Sequence, residues 1–374
     1  MKNNIKEIQI GFDAISLPKH FSGAAHYIIN LIRNILSSER RFNATIFCKP
    51  EHSILFLDLL NDKDAIVNVN FNNRLQMIYF YERHLKRLLI KNKIKLFHAM
   101  HYIVPPKSTY YKIINTVHDM GFMTYPRYYE IYRLIYFNLR MKTYLKRSEK
   151  IISVSKRTTN SILSKYPDFE KKIFTIYPGI DHLSPKISEQ SKKNYILAVN
   201  TFEKRKNIPF LIDLYNYLSE KYNLDYDFII VGQKANDFKN IIKKINKSKY
   251  SNRIEIKTNV SEKDLINLYR EAQFFVNASE FEGFGFTSFE AVLQGCPAFI
   301  YTKAIPDNLI SNTKYILPNL SLEKWATAII NERHLYFVNR SSAESIKDFT
   351  WQKSAKRIVK LYNENLKIGE KVIV

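Results

Sequence analysis

The chain has 374 residues, of which 45% are hydrophobic and 25% are charged, a balance typical of folded soluble proteins. Its length predicts two domains, and its two cysteines, Cys48 and Cys296, exclude a disulfide framework and a cysteine metal cluster. The formal charge of +23 favours anionic partners, unless it reflects a composition bias spread over the whole chain. No apolar run reaches the ~18 residues that a membrane span needs, and the first residues lack the apolar core of a signal peptide. We therefore expect a cytoplasmic protein.

The first half of the chain predicts an α/β domain, because short apolar runs alternate with amphipathic helical segments. Continuous apolar strands separated by helices indicate a parallel sheet with both faces covered. The predicted strands are IQIGFDA, NATIFCKP, KLFHAM, YKIINTVHD, KIISVS and KIFTIYPGI. The pattern stops at the polar stretch 181–194, which we interpret as a linker after a first domain of residues 1–181.

The alternation resumes after the linker and predicts a second doubly wound domain over residues 195–348. Its helices include 213–222 and 261–272, and a further helical segment, 349–374, closes the chain. Its predicted strands are YILAVNTF, YDFIIVGQ, RIEIKTNV, QFFVNASE and PAFIYTK. Because ligands of such sheets bind at the carboxyl ends of the strands, two facing domains of this kind predict a cleft that binds the ligand.

The segment EFEGFGFTSFEA places two glutamates, Glu282 and Glu290, around a Gly-Phe-Gly turn. The turn follows the strand QFFVNASE and opens a helix, whose first backbone N–H groups are unpaired and suit phosphate or sugar oxygens. Gly283 and Gly285 let that backbone come close to a ligand. Glu290 can accept hydrogen bonds from a ribose diol, and Glu282 from sugar hydroxyls. For Glu282, a helix N-terminus with favourable acidic residues is the alternative interpretation.

This segment resembles the glutamate and glycine motif of the GT-B glycosyltransferases of family 4, which have two Rossmann-like domains. The resemblance covers nearly the whole chain, through further motifs in the order of the family. They are DAISLPKHFSGAAHY, TVHDMGFMTYP, IYPGIDH, VNTFEKRKNIPFLIDLY and FTWQKSA. It implies that residues 1–181 bind the acceptor and 195–348 the nucleotide sugar. It also implies that the helix over 349–374 crosses back to the first domain, where Trp351 packs.

The resemblance implies catalytic roles for four residues: His118 and Glu282 contact the donor sugar, and Arg205 and Lys206 bind its diphosphate. A transferase without a metal needs such cations to neutralise the departing diphosphate, and no Asp-x-Asp metal motif follows a strand; we expect no metal and no cofactor. A solvated helix start is the alternative for the two cations. The implied donor-binding residues are Gly23, Ala24, Asp119, Arg205, Lys206, Gly232, Val260, Glu282, Gly283, Phe284, Gly285, Phe286, Thr287 and Glu290.

Four positions depart from the family's pattern: Ala25, His26, Asn200 and Lys204 replace its usual glycine, arginine, glycine and proline. In the stretch HAMHYIVPP, His98 and His101 are candidates for contacts with the acceptor. Packed or exposed histidines are the alternative there.

Family 4 members retain the anomeric configuration, which implies an α-linkage. The motifs are most similar to those of bacterial mannosyltransferases of surface-polysaccharide (O-antigen or capsule) assembly. GDP-mannose is therefore the implied donor, with UDP- and dTDP-sugars left open. We expect an acceptor glycan on a polyprenyl diphosphate at the inner face of the plasma membrane, and other assembly enzymes as partners. A lipid-directed transferase and an inactive assembly partner remain alternatives, whereas a nucleic-acid binder lacks a recognisable module.

Residues 127–147 predict a basic helix that docks on an anionic membrane. Arg133, Arg140 and Arg147 recur every seven residues and so form one helical stripe, which Lys142 and Lys146 extend. A second basic stretch lies at 83–95. Beside the stripe, we expect interfacial anchors at Tyr136, Phe137 and Tyr144. An amphipathic helix that packs on the sheet, with solvated arginines, is the alternative.

Overall fold

The computed structural model describes residues 8–17, 23–183, 192–307, 309, 316–332 and 346–366. The chain divides into two compact units: Met1–Thr124 with Glu130–Gly179 and Thr350–Val374, and Tyr125–Tyr129 with Ile180–Phe349. The segment 125–129 groups with the second unit, although the sequence predicted it in the first domain. The reason is local contact, since the Tyr125 ring lies 5.0 Å from that of Phe281 and Arg127 pairs with Glu280.

The first unit contains a seven-stranded sheet of order β3-β2-β1-β4-β5-β6-β7, and the neighbouring strands are parallel. Its strands are β1 (Gln9–Ala14), β2 (Asn43–Cys48), β3 (Ala65–Asn68), β4 (Ile94–Ala99), β5 (Lys112–Val117), β6 (Lys150–Ser153) and β7 (Ile173–Thr175). The α-helices up to the second unit are α1 (Gly23–Leu36), α2 (Arg74–Arg83), α3 (Leu85–Lys91), α4 (Gly121–Thr124), α5 (Ile131–Arg147) and α6 (Lys156–Leu163). The sequence missed β3, because this edge strand is short and only half-buried.

The second unit contains a six-stranded parallel sheet of order β10-β9-β8-β11-β12-β13. Its strands are β8 (Tyr195–Val199), β9 (Asp227–Val231), β10 (Ile254–Lys257), β11 (Phe274–Asn277), β12 (Ala298–Tyr301) and β13 (Ile316–Leu317). Its α-helices are α7 (Ile208–Tyr222), α8 (Phe238–Asn246), α9 (Glu262–Glu271), α10 (Phe286–Leu293) and α11 (Leu322–Glu332). Helix α7 starts before the predicted residue 213, since Pro209 is accepted in a first helical turn.

The order of strands reverses once in each sheet, between β1 and β4 and between β8 and β11. In doubly wound sheets, ligands bind beside such a reversal, at the carboxyl ends of the strands. The strands beside these reversals are mostly buried, and β8 is buried at every position. The loops after β8 and β11 are therefore the expected position of a binding site in the second unit.

The C-terminal helix, α12 (Trp351–Leu366), belongs to the first unit, where it packs on α1. Trp351 is buried, and its ring meets that of Tyr27 edge-on at 5.8 Å. A Cβ on Gly179 would lie 2.1 Å from the Trp351 backbone nitrogen, so this approach requires glycine. Trp351 is thus a packing residue, as the resemblance implied.

His98 is a core residue, and its predicted contact with the acceptor is wrong. It is fully buried near the end of β4, where Nδ1 lies 2.5 Å from the Tyr362 hydroxyl and Nε2 lies 2.8 Å from Thr116 Oγ1. Burial, with a smaller effect of His118, lowers the pKa of His98 to about 3. The neutral ring therefore joins two strands to α12. Both ring nitrogens are occupied, which leaves none for a ligand.

The predicted basic stripe on α5 is wrong for Arg140 and Arg147, and two of its three predicted anchors are buried, whereas Lys142 and Lys146 are exposed. Arg140 and Arg147 bind Glu82 of α2, and the rings of Phe137 and Tyr144 are buried. Their contacts with Glu82 and with the core hold these side chains within the first unit. The outward face of α5 is instead apolar over its first turns. Within the described ranges, no helix is long and apolar enough to cross a membrane.

Replacing Tyr362 by Phe should destabilise the protein, because the change removes the hydroxyl that bonds the buried His98 ring. Loss of one partner of a buried hydrogen bond costs about 1–3 kcal/mol, so we expect a lower melting temperature. Tyr217→Phe is the control, since it removes a hydroxyl whose bond to Lys221 is exposed. Equal melting temperatures for the two variants would contradict the structural role of His98.

Candidate functional site

The loops after β8 and β11 meet beside the strand reversal and bring together three of the predicted catalytic residues. After β8, a 3-10 turn over Lys204–Lys206 leads to Asn207, whose φ of 51° is left-handed, and then to α7. After β11, the chain passes Glu282 before α10 begins. The Glu280 N–H donates to the Arg205 carbonyl oxygen at 2.8 Å, so the backbones of the two loops are directly bonded.

Glu282 lies buried between the two cations. Arg205 Nη1 donates to Glu282 Oε2 at 3.1 Å and to the Phe281 carbonyl oxygen at 2.9 Å, while Lys206 Nζ binds Glu282 Oε1. Arg205 Nε also donates to Glu203 Oε2 at 2.7 Å. Burial alone would raise the pKa of Glu282, but the charges of Lys206 and Arg205 outweigh it and hold this pKa at about 2. Glu282 is therefore ionised at neutral pH and cannot act as a general acid.

Glu290 is also buried, and both of its carboxylate oxygens are occupied. Oε2 accepts a hydrogen bond from the Tyr269 hydroxyl of α9 at 2.9 Å, and Oε1 lies 3.1 Å from His182 Nε2. Burial and then the charge of Glu290 raise the pKa of Tyr269 well above its usual value, so this hydroxyl keeps its proton and donates. Sequence reasoning missed both partners. His182 could have been predicted, because it is the last residue of the motif IYPGIDH.

Two of the predicted donor-binding glycines are required by the fold itself. Gly285 caps α10 with a φ of 88°, and a Cβ there would lie 2.5 Å from the Ala304 carbonyl oxygen. A Cβ on Gly232 would lie 1.8 Å from the Asn200 carbonyl oxygen, which no side chain permits. These positions need no ligand to explain them. Whether their backbones also contact a donor stays a prediction.

The other predicted donor residues of this unit lie around the same loops. Phe284 stacks on Phe289 at 4.7 Å, so its side chain belongs to the core and only its backbone is left for a ligand. Val260 is half-buried and precedes Ser261, the N-cap of α9, whose hydroxyl accepts the Asp264 N–H at 3.1 Å. Half-buried positions near the start of α10 are Gly283, Phe286 and Thr287.

Asn277, the last residue of β11, holds the two loops in one arrangement. Its Oδ1 accepts the Ser279 N–H at 3.0 Å and lies 3.4 Å from Asn200 Nδ2, while its Nδ2 donates to Ser288 Oγ at 2.9 Å. This role could not be predicted from the sequence, because a single asparagine at the end of a strand forms no pattern. Asn200, which departs from the family's glycine, supplies one of these contacts.

In the first unit, His118 and Asp119 directly follow β5. His118 Nε2 lies 2.9 Å from the Met100 carbonyl oxygen, and because a carbonyl only accepts, Nε2 carries the proton. Burial lowers the pKa of His118, so the ring is neutral at pH 7. Asp119 Oδ1 accepts the Gly121 N–H at 2.8 Å at the start of α4, and its charge opposes the lowering of the His118 pKa.

The remaining predicted residues of the first unit lie at the start of α1 and after β4. Gly23 and Ala24 begin α1, and residues 18–22 of the same predicted loop lie outside the described part of the chain. His101 follows β4 and is half-buried. Burial, followed by the charges of His118, Arg74 and Arg133, lowers the pKa of His101 to about 3. Its contact with an acceptor stays a prediction. The described residues contain no group of His, Cys, Asp or Glu that could hold a metal.

Two families match the chain, one for each half. The sequence model of Glycosyltransferase Family 4 matches residues 21–182, and that of Glycosyl transferases group 1 matches residues 180–331. The chain is 28% identical over 300 residues to the O-antigen chain mannosyltransferase RfbU of Salmonella typhimurium, covering 78% of this chain and 82% of that protein. It is 21% identical over 382 residues to O-antigen chain mannosyltransferase B of Escherichia coli, covering 91% and 96%.

Solved structures of glycosyltransferases share the fold at low sequence identity. WaaG, a glycosyltransferase involved in lipopolysaccharide biosynthesis, has a TM-score of 0.72 at 12% identity, over 94% of this chain and 99% of that one. A glycosyltransferase from Rickettsia africae has a TM-score of 0.66 at 18% identity, over 97% and 100%. This likeness confirms the predicted architecture of two Rossmann-like domains. With the two family matches, it shows that the chain is a GT-B glycosyltransferase built from family 4 and group 1 domains.

Proposed function

We propose that the protein is a retaining glycosyltransferase that adds a hexose to a growing surface polysaccharide such as O-antigen. Mannose from GDP-mannose is the first candidate for the donor. The observation that carries the proposal is the cluster of Glu282, Arg205 and Lys206 beside the strand reversal of the second unit. The choice of mannose is supported by the names of the two O-antigen mannosyltransferases that the chain resembles.

Arg205 and Lys206 supply the positive charge that a departing nucleoside diphosphate requires. Both are positioned before a ligand arrives, because Glu282 and the backbone of the adjoining loop hold them. Preorganised charge of this kind stabilises a transition state without further reorganisation. Glu203 and Glu282 already bind these two cations. We therefore expect the diphosphate to contact Arg205 and Lys206 while both stay bonded to the carboxylates. We propose that this network takes the place of a metal ion.

The proposed reaction retains the anomeric configuration. The bond from the anomeric carbon to the diphosphate oxygen breaks, and the acceptor oxygen bonds to that carbon on the same face. The acceptor's proton passes to the departing diphosphate. The protein contributes position and charge stabilisation. Ionised Glu282 fits an acceptor of hydrogen bonds from the donor sugar. The neutral ring of His118 fits a polar contact with a sugar hydroxyl.

We propose that the acceptor is a glycan on a lipid diphosphate at the inner face of the plasma membrane, where other assembly enzymes supply it. A lipid-directed transferase is the second candidate. The exposed apolar residues on the outward face of α5 support a lipidic acceptor in either case, because such residues mark sites for lipid or protein contact. Purified enzyme offered each class of acceptor, with the same donor, separates the two candidates.

A donor screen tests the function directly. The full chain is incubated with GDP-mannose and with UDP- and dTDP-sugars, and its melting temperature and the hydrolysis of each donor are measured. We expect one nucleotide to raise the melting temperature and its sugar to be released. No stabilisation by any nucleoside diphosphate would contradict a transferase.

Arg205→Ala should lower turnover on the order of a hundredfold or more, because it removes charge that stabilises the departing diphosphate. Lys204→Ala is the matched control, since Lys204 is an exposed cation of the same 3-10 turn. Initial rates and melting temperatures are measured for both variants. A stable Arg205→Ala protein that turns over as fast as the control would remove Arg205 from the site.

Glu290→Ala should weaken the binding of the nucleoside diphosphate by about 1–3 kcal/mol, the cost of losing hydrogen bonds to a charged group. The measurement is a calorimetric titration, with Glu262→Ala as an exposed control at the start of α9. Glu290→Gln keeps the shape of the side chain and one acceptor oxygen, so it separates lost binding from lost packing on Tyr269. Unchanged affinity in both Glu290 variants would exclude a contact with the ribose.

A further inference from the structure

A cavity of about 470 Å³ lies in the first unit between α2 and α5, and none of the residues that line it is assigned to the donor. Three guanidinium groups and one carboxylate line it together with three less polar side chains. These lining residues are Arg83, Arg140, Arg147, Glu82, Ile78, Pro106 and Tyr136. The excess of guanidinium groups over carboxylates predicts an anionic occupant, because guanidinium groups pair with phosphate oxygens in a fixed geometry.

Glu82 holds two of the three arginines in place. Arg140 Nη2 donates to its Oε1, and Arg147 Nη2 lies 3.0 Å from its Oε2. Arg147 Nη1 also donates to the Val104 carbonyl oxygen at 3.1 Å. Burial would raise the pKa of Glu82, but Arg147 and Arg140 outweigh it and lower this pKa, so the carboxylate stays charged. An anion entering the cavity therefore meets arginines that are already ordered, which reduces the entropy cost of binding.

Exposed apolar side chains stand in two rows beside the cavity. On α5, Ile131, Ile135 and Leu139 recur every four residues and are 70%, 55% and 72% exposed. On α2, Leu75 and Tyr79 are 78% and 59% exposed at the same spacing. On both helices, residues of the row and residues that line the cavity follow one another in the sequence. A group of exposed apolar residues beside a charged cavity marks a surface that another molecule covers.

The two helices run side by side in the same direction, so both apolar rows lie toward the same end. Arg74, at the start of α2, interacts with Arg133 near the start of α5. Glu82, near the end of α2, binds Arg140 and Arg147 near the end of α5. The apolar rows therefore lie toward the starts of the two helices, and the arginine-lined cavity lies toward their ends.

We propose that this cavity binds the phosphate or diphosphate group of the acceptor's lipid carrier, and that the apolar rows contact the first part of the lipid chain. An amphiphile with an anionic head matches both features at once. A free nucleotide would leave the rows uncovered, and a neutral lipid would leave the arginines without an anion. The inference rests on the proposed function for the nature of the acceptor, and adds the place where its carrier binds.

The test compares three probes on the full chain by calorimetry: geranyl diphosphate, geraniol and inorganic pyrophosphate. We expect geranyl diphosphate to bind at least tenfold more tightly than either of the other two. Arg83→Gln, at an exposed lining residue, should weaken both diphosphate probes about tenfold. Leu139→Ser should weaken geranyl diphosphate alone. Lys91→Gln, which removes an exposed cation on α3 outside the cavity, should change neither.

Nucleotide binding and donor hydrolysis, measured on the same proteins, separate this proposal from the proposed function. Both should be unchanged in Arg83→Gln and Leu139→Ser. If donor hydrolysis is normal and geranyl diphosphate binds these variants as it binds the wild type, the carrier site is overturned while the transferase stands. If no nucleotide binds the wild type but the probe results hold, the proposed function fails and the anionic amphiphile site stands.

Flotation with phosphatidylglycerol vesicles distinguishes the carrier site from general attraction to an anionic surface. The proposal would be overturned if Lys91→Gln and Arg83→Gln lost vesicle binding equally and Arg83→Gln showed no selective loss of geranyl diphosphate binding. Selective loss of geranyl diphosphate in Arg83→Gln, with vesicle binding retained, supports it.

Discussion

A buried carboxylate shared by two cations is the interaction on which the site of the second unit depends. Glu282 comes from the loop after β11, and Arg205 and Lys206 come from the loop after β8. Burying three charges is costly unless each is paired, so the two loops are held in the one arrangement that pairs them. The backbone bond between Glu280 and the Arg205 carbonyl, and the contacts of Asn277, fix the same arrangement. The charged side chains of this site and the structure of its two loops therefore depend on the same network.

The chain has a net charge of +23, but its cations are paired with carboxylates to different degrees in different places. In the loop network of the second unit, Arg205 and Lys206 are already paired with Glu203 and Glu282. Between α2 and α5, three arginines face only Glu82. A local excess of charge in a cavity attracts anions far more than the same charge spread over a solvated surface, where salt screens it. The overall charge alone therefore does not indicate where an anion binds.

The architecture could be predicted from the sequence because buried parallel strands leave continuous apolar runs, and the missed strands, β3 and β13, are short edge strands without such runs. Glu282, Arg205 and Lys206 could be found because they lie within recognisable motifs. The partners of Glu290 could not, since Tyr269 lies on another helix and only the fold brings it near. The arginines of α5 were misjudged for the same reason, because their partner, Glu82, is 58 and 65 residues away.

The bond between His98 and Tyr362 joins residues 264 positions apart within one unit. The chain between them contains the whole second unit, so the first unit lacks its last helix until the chain has been synthesised as far as Leu366. On the ribosome, the surfaces of α1 and β4 that α12 covers in the folded protein stay exposed until α12 emerges. The second unit can fold before that point. The N-terminal half of this protein is thus the half that is finished last, and a truncated chain loses part of the core at its beginning.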